Sequence, residues 1–167
     1  MFLRKVAIAF VAAGSISTTA MAQKAQSTAE EQVKASVRAF FDGMSAATCQ
    51  DGSPVSRLAK DNTIYVLETE IYRVPHAEYE QGVRQRACNW KKHDGGVDDV
   101  IVEVHALNVA TAAWTFHDII TRKDGSVRRS KGAVMQTWVK EKSGWQIAAT
   151  KSSEDHASAT IDPAPAK

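Results

Sequence analysis

Residues 131–147, "KGAVMQTWVKEKSGWQI", indicate two strands joined by a tight turn. The Ser-Gly pair at 143–144 is typical of such turns, and the chain on either side is rich in β-branched and aromatic residues. An Asp-Gly pair at 124–125 marks the preceding turn in the same way. Two earlier strands are joined through Asn108, so the sequence predicts an antiparallel meander from Val97 onward.

The chain before the meander carries helix-start signals and one strand pattern. "STAEEQ" at 27–32 contains two overlapping capping boxes, and the apolar residues after it predict a helix to about residue 47. A Ser-Pro pair at 53–54 starts a short second helix. "NTIYVLETEIYRV" at 62–74 predicts one bent strand or a small hairpin. A longer helix is predicted over 75–93, between a proline and a Gly-Gly stop.

This order of elements predicts the fold class. Helices that are segregated on one face of an antiparallel sheet make an α+β domain. We expect a cone-shaped fold, in which helices pack on the concave face of a curved antiparallel sheet. The domain is predicted over residues 23–155, between a signal peptide at 1–22 and a disordered tail at 156–167.

The first residues, "MFLRKVAIAFVAAGSISTTAMA", have the layout of a signal peptide. Two basic residues precede an apolar run, and small residues follow it, so cleavage is expected before Gln23. The apolar run is too short for a transmembrane anchor, which needs roughly 20 apolar residues. The sequence therefore predicts a periplasmic or secreted protein without a membrane anchor.

The charge of the chain bears on its partners. The sequence has 21 basic and 19 acidic residues, a net charge of +2. Arg4 and Lys5 leave with the predicted leader, so the mature chain is formally neutral. A neutral domain lacks the electrostatic field that attracts nucleic acid, and no nucleic-acid partner is expected.

The sequence contains two cysteines, Cys49 and Cys88. In an oxidising compartment they can form a disulfide, and the alternative is that each is a small buried apolar residue. Five histidines in the chain show no metal-ligand spacing, and no phosphate-binding glycine loop is present. No metal and no cofactor are therefore expected.

Two stretches carry a resemblance to a known superfamily: "VLETEIYRVPHAEY" at 66–79 and the strand pair at 131–147. With the order of elements, they resemble the nuclear transport factor 2-like superfamily, and most closely its bacterial SnoaL-like and ketosteroid isomerase-like branches. The resemblance covers about residues 27–153. It implies a cone-shaped fold with a deep apolar pocket, and a homodimer formed through the outer face of the sheet.

The resemblance also implies functional positions. Close relatives carry histidine pairs in the long helix and in the last strand. The matching positions here are near Gly82 and Val83 in the helix, and at Ala149 and Lys151 in the strand. A role that these histidines serve elsewhere is not expected in this chain.

An isomerase of this kind needs a carboxylate base in an apolar pocket and a hydrogen-bond donor for the developing oxyanion. The resemblance places the base on the first strand, where Glu68 is the first candidate and Glu70 the second. Asp118 is the candidate donor, and strand alternation turns His117 to the opposite face. The alternative is that these carboxylates are solvated.

The predicted ligand is a small apolar or aromatic molecule. The residues predicted to line its pocket are Tyr65, Trp90, Trp114, Phe116, Trp138 and Lys151. Alternation along the last strand puts Lys151 on the face of Trp145 and Ile147, and we expect its ammonium to pair with Glu68 or Asp118.

Three functions fit these residues. The first is an exported small-molecule-binding domain with an apolar pocket and no catalysis. The second is a cofactor-free isomerase or lyase that uses Glu68 or Asp118. The third is a dimerising interaction module.

Overall fold

The computed structural model describes residues 15–67, 69–154 and 160–163. The helices are α1 (Ser15–Ala46), α2 (Ser53–Ser56) and α3 (His76–Ala87). The strands are β1 (Ala59–Leu67), β2 (Glu70–Val74), β3 (Trp90–Ala106), β4 (Val109–Arg122), β5 (Val127–Glu141), β6 (Gly144–Glu154) and β7 (Thr160–Asp162).

The strands form one curved, unclosed sheet in the order β2-β1-β6-β5-β4-β3, and β7 pairs with β5. The predicted α+β class and cone-shaped fold are confirmed. Of the two alternatives predicted for 62–74, the structure has the hairpin, which is formed by β1 and β2. The sheet is mixed rather than wholly antiparallel, because β1 pairs with β6 in parallel. This pairing joins the N-terminal hairpin to the predicted meander.

Helix α1 lies across the concave face and forms the core with the sheet. Ala29, Val33 and Val37 recur at the spacing of one helical face, and all three are buried. Trp138 and Ile147 oppose them from β5 and β6, and both are almost fully buried. Burial of each large side chain contributes about 1.5–3 kcal/mol. This packing holds α1 on the concave face of the sheet.

Helix α1 begins well before the predicted capping boxes. Thr28 does not cap a helix start, because its hydroxyl donates to the carbonyl of Lys24 inside the helix. The predicted cleavage before Gln23 falls within α1 and precedes Ala29, which is buried in the core. Residues 1–14 lie outside the described chain, and export stays a prediction.

Helix α3 is shorter than predicted, and the predicted helix over 75–93 is wrong in its last turns. The helix ends at Ala87, and the chain from Trp90 to His93 is the start of β3. His93 lies opposite Ile120 of β4. The reason is that β4 is a long strand, and its hairpin partner continues beside it over the same length.

Cys49 and Cys88 form a disulfide that ties the loop after α1 to the end of α3. Their Cα atoms are 4.3 Å apart, and the sequence separation is 39. The bridge holds the end of α3 against the loop between α1 and α2.

The tail contains a strand. Thr160–Asp162 pairs with the first residues of β5, and Arg129 forms an ion pair with Asp162. The predicted disorder at 156–167 is therefore wrong for residues 160–162. Residues 155–159 and 164–167 lie outside the described chain. No helix among the described residues is long and apolar enough to cross a membrane.

Candidate functional site

A cavity of about 200 Å³ lies between α1, α3 and the concave face of the sheet. Most of its wall is aromatic or aliphatic. Its polar groups include His93, Asp118, Gln136 and Arg86. An apolar cavity with a few polar side chains is the usual form of a small-molecule site.

His93 and Asp118 meet in this cavity across the β3–β4 hairpin. His93 lies opposite Ile120, and Asp118 precedes Ile120 by two residues, so the two side chains are diagonal neighbours on one face. His93 Nε2 is 2.9 Å from Asp118 Oδ1, with the imidazole donating to the carboxylate. Gly95 lies directly opposite Asp118, and a Cβ there would collide with the carbonyl oxygen of His117. The glycine allows the close strand approach that supports the pair.

The His93 ring is held on two sides by aromatic rings. Its centroid is 4.8 Å from that of Trp90 and 5.7 Å from that of Phe41. The residue is only 8% exposed. In the neutral tautomer that donates from Nε2 to Asp118, Nδ1 holds a lone pair. Nδ1 is buried and has no hydrogen-bond partner among the described residues.

The inner face predicted for β4 is confirmed. Trp114, Phe116 and Asp118 alternate along the strand and line the cavity together. Trp114 Nε1 donates to Gln136 Oε1 at 3.0 Å, which satisfies a polar group at a fully buried position of β5. This bond fixes the indole ring as part of the wall.

The predicted position of Lys151 is wrong. Ile147 pairs with Trp138 and Ala149 pairs with Thr137, so Ala148 is an extra residue in β6. This β-bulge reverses the alternation beyond it. Thr150 and Ser152 consequently line the cavity.

Lys151 is exposed on the outer face of the sheet, beside Met135. It makes no ion pair with Asp118. Its predicted role against the ligand therefore has no support from its position.

The other predicted site residues are distributed as follows. Tyr65 lines the cavity, as predicted. Trp90 lies behind His93 and is not part of the cavity wall. Trp138 is fully buried in the core under α1. Glu68 lies outside the described residues, and Glu70 is exposed at the start of β2.

Two tyrosines and an arginine form a second polar group in the cavity wall. The ring centroids of Tyr65 and Tyr79 are 5.7 Å apart. Burial, followed by the neighbouring Tyr79, raises the pKa of Tyr65 far above its usual range, and burial also raises the pKa of Tyr79. Arg86 acts on both pKa values in the opposite direction. Both phenols therefore remain protonated, with the guanidinium nearby.

His93 and Arg86 are polar residues of the cavity wall that the sequence analysis did not single out. Two signals were present. A strand over 111–122 that turns back at Asn108 requires a partner extending to about residue 93, which brings His93 into the sheet. Arg86 follows Tyr79 by seven residues and therefore lies on the same helical face.

The outer face of the sheet carries a second histidine–carboxylate pair. His117 Nδ1 is 2.6 Å from Asp98 Oδ1, and both side chains are about half exposed. Ile101 and Met135 are exposed on this face, at 68% and 59%. The face fits the predicted homodimer, which stays a prediction.

Among the described residues, no three histidine, cysteine or acidic side chains lie close enough together to hold a metal ion. The polar side chains that line the cavity include proton donors, proton acceptors and the guanidinium of Arg86.

No protein-family model matches the chain, and no curated protein matches it. Solved structures do match. A candidate scytalone dehydratase from Novosphingobium aromaticivorans aligns with a TM-score of 0.66 at 7% identity, over 91% of this chain and 94% of that one. A nuclear transport factor 2-like superfamily protein from Salmonella enterica serovar Typhimurium aligns with a TM-score of 0.63 at 17% identity, over 84% and 95%.

A hexachlorocyclohexane dehydrochlorinase, LinA type 2, aligns with a TM-score of 0.61 at 6% identity, over 81% of this chain and 93% of that one. At these identities the likeness concerns the fold. The chain has the nuclear transport factor 2-like fold.

Proposed function

We propose that this protein is a cofactor-independent isomerase or lyase that moves a proton on a small ring-containing molecule. The observation that carries this proposal is the buried Nδ1 of His93, which has no partner among the described residues and belongs to a ring held by Asp118. A buried lone pair without a partner is costly unless a ligand hydrogen meets it. His93 lines the cavity, so a turn of its ring would bring Nδ1, which is covered in this structure, to a ligand, where it is a candidate general base.

The proton transfer follows from the pair. Nδ1 of His93 takes a hydrogen from the carbon beside a carbonyl, and the electrons of that C–H bond move into an enolate. Asp118 stabilises the imidazolium that forms. The hydroxyls of Thr150 and Ser152 line the same cavity and can donate to the enolate oxygen. Return of the proton to another carbon gives isomerisation, and departure of a β-substituent gives elimination.

Binding without catalysis was the first function inferred from the sequence, because the histidines of close relatives are absent and because Lys151 was expected to neutralise a pocket carboxylate. Lys151 lies on the outer face, and His93 occupies the cavity instead. The cavity of about 200 Å³ is below the usual 300–1,000 Å³ of ligand pockets, which favours a molecule of one or two rings. The names of two neighbours, a dehydratase and a dehydrochlorinase, also support proton abstraction.

The test is exchange of the α-hydrogens of 2-tetralone in D₂O, followed by proton NMR. This bicyclic ketone needs only a base and an oxyanion donor for exchange. We expect the wild-type protein to accelerate the exchange above the buffer rate. Asp118→Asn should slow it roughly ten- to hundredfold, because the amide no longer holds the imidazole tautomer or its positive charge.

Asp98→Asn is the matched control, since Asp98 also contacts a histidine, Nδ1 of His117, but on the outer face of the sheet. It should leave the exchange rate unchanged. Equal rates for wild type and Asp118→Asn, or no rate above buffer with the wild-type protein, would contradict the proposed function.

A further inference from the structure

We propose that the molecule bound in this cavity carries a carboxylate, and that Arg86 binds it. This inference rests on the proposed function for the reacting end of the ligand. It adds the chemical class of the ligand and a residue that selects it.

Arg86 is a solvent-exposed residue whose side chain also lines the otherwise largely apolar cavity. It lies in the last turn of α3 and lines the cavity. No aspartate or glutamate among the described residues forms an ion pair with it. Some basic residues of the described chain, such as Lys34 and Lys60, do form ion pairs with acidic side chains. An unpaired guanidinium at an apolar cavity is a favourable site for a carboxylate, which it can hold with two parallel hydrogen bonds.

The neighbours of Arg86 suit the same group. Tyr65 and Tyr79 line the cavity with it, and their raised pKa values keep both phenols protonated. A protonated phenol donates a hydrogen bond to a carboxylate oxygen and does not repel its charge. The wall of β1 and α3 therefore offers hydrogen-bond donors and one positive charge.

The positions of the polar groups also determine which end of the ligand lies at Arg86 and which end lies toward His93. Tyr65 is on β1 and Asp118 is on β4, and two strands, β6 and β5, lie between them. Three strand spacings correspond to roughly 14 Å along the sheet. The negative charge of Asp118 disfavours a carboxylate at the far end, so the anion is directed to Arg86. The ring of the ligand then extends toward His93.

The experiment compares two ligands of one shape. The binding of 2-naphthoate, which is ionised at neutral pH, and of the uncharged 2-naphthamide is measured by calorimetry with the full chain. We expect the wild-type protein to bind the carboxylate about tenfold more tightly than the amide, because only the carboxylate pairs with the guanidinium. Arg86→Gln should remove this preference and leave the affinity for 2-naphthamide unchanged.

Arg38→Gln is the matched control, because Arg38 is exposed like Arg86 but is not part of the cavity wall. It should keep the preference of the wild-type protein. Equal affinity of the wild-type protein for both ligands would overturn the inference. So would a loss of affinity for both in Arg86→Gln, or a failure of the wild-type protein to bind either.

The two proposals can fail separately. A protein that prefers 2-naphthoate through Arg86 but does not exchange the hydrogens of 2-tetralone would retain the carboxylate site and lose the proton-transfer function. Exchange of 2-tetralone without any preference for 2-naphthoate would support the proton-transfer function and contradict the carboxylate site.

Discussion

His93→Gln is expected to lower the rate of 2-tetralone exchange by about a hundredfold or more, the contribution that a positioned general base makes. Glutamine is close to histidine in size, and its amide can still donate to Asp118. It has no basic nitrogen, so the base is lost while the wall of the cavity keeps its shape. The rate is measured by proton NMR at a fixed pH and protein concentration.

His117→Gln provides the control for this substitution. His117 contacts Asp98 as His93 contacts Asp118, but it faces away from the cavity. We expect its exchange rate to equal that of the wild-type protein. Calorimetry with 2-naphthamide checks that His93→Gln still folds and binds. A variant that binds normally and exchanges at the wild-type rate would rule out His93 as the base.

Removal of the disulfide should produce the largest change in stability. The bridge closes a loop with a sequence separation of 39. On the chain-entropy model, this loop contributes about 4 kcal/mol to the free energy of unfolding. We expect Cys49→Ala with Cys88→Ala to lower that free energy by about this amount, as measured by urea denaturation.

A reducing agent supplies the matching comparison. It should destabilise the wild-type protein to a similar degree and have no effect on the double variant. Cys88 follows Arg86 by two residues, so loss of the bridge should also weaken 2-naphthoate binding. An unchanged urea midpoint in both experiments would show that the bridge adds nothing to stability.

Much of the fold follows from local signals in the sequence. The turns at 124–125 and 143–144 each need residues that tolerate unusual backbone angles, and Gly125 and Gly144 both have positive φ. Such signals are short-range and can be located without knowledge of the rest of the chain. The face of β4 was predictable for the same reason, since strict alternation holds over Trp114, Phe116 and Asp118.

The site depends on pairings between residues that are distant in sequence, and such pairings are harder to predict than local turns. His93 enters the cavity because β4 extends its partner strand by several residues beyond the point where helix signals were expected to end. Composition did not distinguish a helix end from a strand start there, because Trp90 to His93 fits either. Only the hairpin register decides between the two.

The bulge at Ala148 was not predictable from local sequence, because one extra residue in a strand leaves no composition signal. Helical spacing was sufficient to place Arg86 on the same face as Tyr79, but no local signal indicated that this face lines a cavity. Its neighbour in the cavity, Tyr65, comes from a strand that joins the sheet by the parallel pairing of β1 with β6. Parallel pairings join segments that are distant in sequence.

Because β6 contains an extra residue, it can lose one residue without a change in which of its side chains face the cavity. In a regular strand, deletion of one residue turns every side chain beyond it to the opposite face. Here Ile147 and Thr150 both face inward, and two residues lie between them where alternation allows one. Deletion of Ala148 would leave the partners of both halves in place, with Trp138 still opposite Ile147 and Gln136 still opposite Thr150. The cavity wall can thus lose a residue from its last strand without losing its hydroxyl groups.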